Sequence, residues 1–298
     1  MANKNVVRKY LSCLFLSILL CTATLSYSSQ PLHLKGLYED ITIGEIDGVK
    51  LSINLAFPQT LSAQPRPVLI MIHGGGFLKG DKSNNNLRIQ KMTQLGFVAA
   101  SAMYRFAPEH KFPAALDDIK LAIRFLKAHA AEYHINPQRI ILSSASAGSY
   151  LAVMAGVTGN SDAFDDHGLY TQFDSSVHAI TGQSSPIADF RLAKYLEFSL
   201  LKRLLEHNST NHQQRLAALS PVTYLDPQDP PMFLTHGDAD PIVPVEMSRE
   251  FVRELAKTGH SYEYHELAGG THSYSQSVPD KAKAVSKRYR KFIEKWAE

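Results

Sequence analysis

An α/β protein built on a mostly parallel sheet with helices on both faces is the fold class this sequence predicts, and three observations carry it. Short, continuous apolar runs such as 67–72 and 97–102 suit strands buried on both faces. Amphipathic stretches alternate with those runs, the longest over 114–133 with Leu116, Ile119, Ile123, Leu126 and Ala130 on one stripe. Loops rich in Gly, His and Asp follow several of the runs, at the strand ends where open α/β sheets bind ligands. With 298 residues, 44% of them hydrophobic and 20% charged, the chain can bury a sizeable core. A single domain over 29–298 accounts for the alternation.

The first 28 residues obey another rule. Lys4, Arg8 and Lys9 precede an apolar run over 11–24, and small polar residues follow. This is the pattern of a secretory signal peptide, and the run is shorter than the roughly 20 residues that cross a bilayer. A secreted or periplasmic protein with no stable membrane span is expected. Both cysteines, Cys13 and Cys21, lie in this segment, so the remainder needs no thiol chemistry. Those three cations are the whole excess: without them the Lys and Arg equal the 28 acids in number. Nucleic acid is therefore not an expected partner.

In chain order, strands over 41–46 and 51–57 flank Asp47-Gly48, a hairpin turn pair. The 67–72 strand runs into His73-Gly74-Gly75-Gly76-Phe77. Three consecutive glycines cannot pack a core, so the reason for them is backbone conformation or close approach to a ligand. Neither a phosphate loop nor a dinucleotide fingerprint can be drawn through them. A short helix over 87–95 and a strand over 97–102 precede a proline-broken loop and the 114–133 helix, which Asn136-Pro137 ends. The next strand enters Ser143-Ser144-Ala145-Ser146-Ala147-Gly148, and a helical apolar pattern leaves it. We read this as a nucleophile elbow, with Ser146 at the corner and small residues two positions to either side. A strand over 177–182 is followed by a helical block over 190–219, with Leu192, Leu196, Leu200, Leu204 and Leu205 on one face. Such a block is too long for a tight connection and is expected to form a small cap. Strands over 231–235 and 261–267, the helix 245–258 between them, and a closing helix striped by Val285, Tyr289, Phe292, Ile293 and Trp296 complete the chain.

The strand-end loops offer Ser146 as nucleophile, His272 as its base, and Asp238 or Asp240 as the acid that orients the base. The backbone N–H groups of Gly75, Gly76 and Ala147 are candidate oxyanion donors. Although the chain has 13 histidines, neither H-E-x-x-H nor a paired Cys/His spacing occurs, and no metal site or cofactor is expected.

His73-Gly74-Gly75-Gly76, the stretch from Tyr104 through Arg105 and Glu109 to Asp118, the Ser146 elbow, His236-Gly237-x-x-Asp240 and Gly270-Thr271-His272 together resemble the α/β-hydrolase esterases. More narrowly, they are similar to the hormone-sensitive-lipase-like carboxylesterases and to the BD-FAE type. The resemblance covers the chain from about Val68 onward. It implies an eight-stranded, mostly parallel sheet and cofactor-free hydrolysis of a small-molecule or carbohydrate ester through an acyl-enzyme. It places the triad acid at Asp240. Two departures stand out: Ser144 replaces the first elbow glycine, and Phe77 follows the glycines where many BD-FAE members have tryptophan. Phe77, Tyr274 and Phe190 are the candidate substrate-binding residues, the last from the cap. An amidase, formamidase or peptidase of the same fold is the alternative, followed by a catalytically silent binding module.

Overall fold

The structure, a computed structural model, describes residues 34–60, 62–160, 164, 168–205 and 211–298. The leader expected over 1–28 lies outside them. Eight strands form one sheet in the order β1-β2-β4-β3-β5-β6-β7-β8. They are β1 Gly36–Ile46, β2 Val49–Phe57, β3 Arg66–Ile72, β4 Val98–Ala102, β5 Ile135–Ala145, β6 Ala179–Gln183, β7 Met232–Gly237 and β8 Tyr262–Leu267. The β1/β2 and β2/β4 pairs are antiparallel, and all the others are parallel. The expected Asp47-Gly48 turn has positive φ at both residues, 51° and 74°, as a tightly twisted two-residue hairpin requires.

Successive side chains of a strand point to opposite faces, and here both faces are covered. Ile70, Leu142, Ile180 and Leu234 pack in the core with α2 (Ala114–Ala128) and α3 (Ala147–Val157). Leu69, Ile141, Ala179 and Phe233 pack on the other side with α1 (Asn86–Thr93) and α8 (Pro279–Ala297). The middle of each central strand is therefore apolar on both faces, which is the origin of the apolar runs in the sequence.

Two sequence expectations change. The helix expected over 114–133 ends at Ala128. Beyond it the chain makes turns whose bonds keep helical spacing, Tyr133 N donating to His129 O at 3.0 Å, before His134 takes a positive φ of 52°. Asn136-Pro137 then lies inside β5 instead of ending a helix. The 190–219 block is likewise not one leucine-faced helix. Its described part holds a 3-10 turn at Ala193–Tyr195, α4 (Ser199–Leu204) and α5 (His212–Leu219). Leu200, Leu204 and Leu205 are buried, whereas Leu192 and Leu196 are exposed, because the break between the turn and α4 rotates the first two leucines off the buried side. Helix α6 (Val245–Lys257) links β7 to β8, and the single turn α7 (Tyr274–Ser277) precedes α8.

The turn before β7 has a pH signature. Asp229 accepts a hydrogen bond from Asp226 N at 2.8 Å, and His260 Nε2 lies 3.6 Å away. Burial, aided by the nearby Asp226 charge, raises its carboxyl from 3.8 to about 7. Between those two values the folded chain holds a proton that the unfolded chain has released, so Asp229 costs stability increasingly as pH rises through that window. Asp229→Asn, which keeps an acceptor for Asp226 N, is expected to raise the melting temperature at about pH 8 and to do little at about pH 4. Equal shifts at both values, measured by thermal melts, would refute this account.

Candidate active site

Ser146, Asp240 and His272 lie just past the carboxyl ends of the parallel strands β5, β7 and β8. Ser146, between β5 and α3, has φ 55° and ψ −129°. That is a sparsely populated region for a residue with a Cβ and costs about 1–3 kcal/mol. The neighbours enforce it. Ser146 N donates to Gln183 O at 2.8 Å, and the amides of Ser149 and Tyr150 donate to Ser146 O at 2.9 and 3.1 Å. The first turn of α3 presses on the end of β3 so closely that a Cβ at Gly148 would stand 2.3 Å from Ile72 O, which is why that position is glycine. Ser144, in the place of the other elbow glycine, lies between Ile72 and Gly182 in the sheet. Its Oγ is buried and has no hydrogen-bond partner among the described residues. The corner geometry at Ser146 is kept despite this departure.

Asp240 has every acceptor position of its carboxylate engaged. Oδ1 accepts from Ile242 N at 2.8 Å and Val243 N at 3.0 Å. Oδ2 accepts from His272 Nδ1 at 2.7 Å and lies 3.2 Å from His236 Nε2. His236 is fully buried. Its Nε2 also faces Val243 O at 3.0 Å and its Nδ1 faces Ser248 Oγ at 2.7 Å. A nitrogen between a carbonyl and a carboxylate must carry the proton, so Nδ1 accepts from the Ser248 hydroxyl. Burial works to raise the Asp240 carboxyl, but the hydrogen bonds from His236, His272 and the Val243 and Ile242 amides outweigh it. They hold the group well below the usual carboxylate range. Asp238 accepts from Gly269 N at 2.6 Å and ties the acid loop to the histidine loop.

With Nδ1–H given to Asp240, a neutral His272 presents Nε2 as an acceptor. Among the described residues no hydrogen bond joins that nitrogen to Ser146 Oγ, a contact that often tightens only when substrate is bound. Gln183, the last residue of β6, and Ser184 after it tie the two loops together: Gln183 Nε2 and Ser184 Oγ donate to His272 O at 3.4 and 3.1 Å. Neither residue was singled out from the sequence. A role of this kind depends on where β6 ends and leaves no motif.

The glycine loop packs against the elbow. Gly75 has φ 125°, and a Cβ there would stand 1.8 Å from Lys79 O, so no other residue fits. Among the described residues the amides of Gly75, Gly76 and Ala147 donate no backbone hydrogen bond. His73 orders the loop from below: its Nδ1 lies 2.8 Å from Gly74 O and its ring stacks on Tyr104, whose hydroxyl donates to His73 O. Burial lowers its pKa. From the cap, Arg203 Nη1 reaches Gly76 O at 3.3 Å; nothing in the sequence signalled this contact. Arg105 pairs with Asp118 and Asp47 beneath the loops, while Glu109 is exposed. Among the described residues, no group of three or more His, Cys, Asp or Glu is arranged to hold a metal ion.

The three candidate substrate-binding residues separate. Tyr274 lines a large cavity, its hydroxyl 2.9 Å from Thr235 Oγ1. Phe77 and Phe190 do not. The positive φ of Phe77, 64°, turns its ring inward against Tyr104 and Tyr150. Phe190 is fully buried and packs on the other side of Tyr150. Both are core residues beneath the cap.

An eight-stranded sheet of this order, with a strained serine between a central strand and a helix and an Asp–His pair on later loops, defines the α/β-hydrolase fold. Residues 53–255 match the family model described as BD-FAE, and the chain belongs to that family. Among curated relatives, Esterase LipC of Mycobacterium tuberculosis (strain ATCC 25618 / H37Rv) is 28% identical over 225 residues, covering 72% of this chain and 54% of LipC. The chain spans about half the length of the curated relatives it matches. Among solved structures, Thermogutta terrifontis esterase 2 phosphoramylated by tabun superposes with a TM-score of 0.72 at 25% identity, covering 86% of this chain and 94% of the other. An acetyl ester-xyloside bifunctional hydrolase from Caldicellulosiruptor lactoaceticus also gives 0.72 at 25% identity, covering 89% and 97%.

Proposed function

We propose that this chain is a serine carboxylesterase that hydrolyses small carboxylic esters through Ser146, His272 and Asp240. The observation that carries the reading is the Asp240–His272 hydrogen bond of 2.7 Å beside a serine held at φ 55°. Esterase relatives and a structural neighbour trapped by an organophosphorus agent support it. Ser146 Oγ attacks the ester carbonyl while His272 Nε2 takes its proton. The amides of Gly75, Gly76 and Ala147 receive the oxyanion. The alcohol departs with the proton from His272, leaving an acyl-Ser146 that water cleaves by the same route in reverse. Asp240 holds the imidazole in the tautomer this requires and offsets its charge when it is protonated. The basic and apolar pattern over 1–28 supports export to a secreted or periplasmic location, and no helix among the described residues is long and apolar enough to cross a membrane.

The test is intact-mass analysis after treatment with a fluorophosphonate, with peptide mapping. A single adduct on Ser146 is expected, with Ser143, Ser144 and Ser149 unmodified. Ser143 Oγ is engaged with Tyr289 and Ser149 Oγ with Ser185, whereas Ser146 alone stands at the corner. An adduct elsewhere, or none, would overturn the mechanism.

A further inference from the structure

Beside the proposed triad, a cavity of about 750 Å³ opens over the sheet between α1 and α8. Met71 of β3 and Phe233 of β7 lie along it, and its outer end reaches Gly75 of the glycine loop and Tyr274, two residues past His272. The volume suits a ligand of one or two sugar rings.

Its walls specify the chemistry of the occupant. Lys79, Arg88 and Lys91 line it, and among the described residues no carboxylate does. None of the three makes an ion pair among the described residues; of the nearby acids, Asp81 accepts from Ser83 N and Asp40 pairs with Lys82. The three residues are exposed at its rim, where an anion entering among them relieves their mutual repulsion. The rest of the wall is rich in hydroxyls. Ser143 Oγ and Tyr289 OH lie 2.9 Å apart, as do Thr235 Oγ1 and Tyr274 OH, and Thr181 and Ser286 stand among them. Thr235 Oγ1 also donates to Gly182 O and Thr181 Oγ1 to Leu142 O, both at 3.4 Å, and each hydroxyl oxygen, with two lone pairs, keeps acceptor capacity. A plain acyl chain filling this space would strip water from all of them and replace none of their hydrogen bonds.

We propose that the cavity is a subsite for an acidic sugar, so that the esters cleaved at Ser146 are borne on a hydroxyl-rich group carrying a carboxylate or a sulfate. The cleavage clause rests on the esterase reading above; the selectivity of the cavity does not. Arg88 and Lys91, one helical turn apart on α1, grip the anion, and the Ser143, Tyr289 and Tyr274 hydroxyls take the ring hydroxyls.

Calorimetric titration of the unsubstituted protein with D-glucuronic acid, D-glucose 6-sulfate and D-glucose reads the selectivity without turnover. At least one acid is expected to bind about tenfold or more tightly than glucose, with the advantage shrinking as salt is raised. The tighter of the two acids identifies the anion. In an Arg88→Gln/Lys91→Gln variant of unchanged melting temperature, the advantage should vanish. Glucose binding as tightly as both acids, or a preference that survives the double substitution, overturns the proposal. The ratio of kcat/KM for acetylated methyl glucuronide to acetylated methyl glucoside separates the two readings. Turnover of both at equal rates sinks the acidic-sugar subsite and spares the esterase. Acid-selective binding with neither ester cleaved sinks the esterase and spares the subsite.

Discussion

Ser146→Ala is expected to lower kcat on a simple ester such as 4-nitrophenyl acetate by about a millionfold, because the remaining triad members have no nucleophile to activate. The fold should survive. The corner is held by main-chain bonds from Ser146 N to Gln183 O and from the Ser149 and Tyr150 amides to Ser146 O, all of which alanine preserves. Alanine carries the same Cβ in the same positive-φ geometry, so the strain is neither added nor relieved. The check is a pair of measurements on one preparation: a melting curve that matches the parent, and steady-state turnover near the uncatalysed rate. Retention of more than about a hundredth of the activity would remove Ser146 from the chemistry.

Asp240→Asn is expected to cost up to about ten-thousandfold in turnover, while Asp238→Asn costs far less. The hydrogen bonds give the reason. The Ile242 and Val243 amides both donate to Asp240 Oδ1, so an asparagine must keep its carbonyl oxygen there. Its NH₂ then occupies the place of Oδ2 and faces two groups that donate to that atom, His272 Nδ1 and His236 Nε2. Donor opposes donor, and His272 must adopt the other tautomer, in which Nε2 carries the proton and cannot accept one from Ser146. Among the described residues the one hydrogen bond to the Asp238 carboxylate comes from Gly269 N, which an amide carbonyl serves equally well. Turnover of the two variants, compared at matched folding, decides between the aspartates. If Asp238→Asn proves the more damaging, the acid is misassigned.

The sheet was legible because strands buried on both faces leave unbroken apolar runs, and the glycine loop because no core explains three adjacent glycines. Helix ends were not. Ala130 and Tyr133 prolong the α2 stripe in sequence because turn bonds reuse helical spacing after the helix has stopped at Ala128. The leucine stripe over 192–205 misled for a related reason: the spacing runs through a break that no residue type marks, and Leu192 and Leu196 end up outside. Ser146, Asp240 and His272 stand on one edge because each follows the carboxyl end of a parallel strand, a placement the alternation of the sequence carries. The direction of the Phe77 ring, against Tyr150, follows from the sign of one φ angle, which no residue type encodes. The cavity over the α1/α8 face was invisible, since it arises from how far apart two helices sit and not from either helix's sequence.

Gln183 carries a consequence for how this scaffold can be altered. Its carbonyl holds the amide of Ser146 and its side chain reaches the carbonyl of His272, so one residue at the tip of β6 gauges the separation of Ser146 and His272. The cap emerges from the chain only after that residue. Segments of different length or composition grafted between Asp189 and Ser220 therefore hang from an anchored frame, and libraries built there can explore new substrates while the reacting groups stay in register.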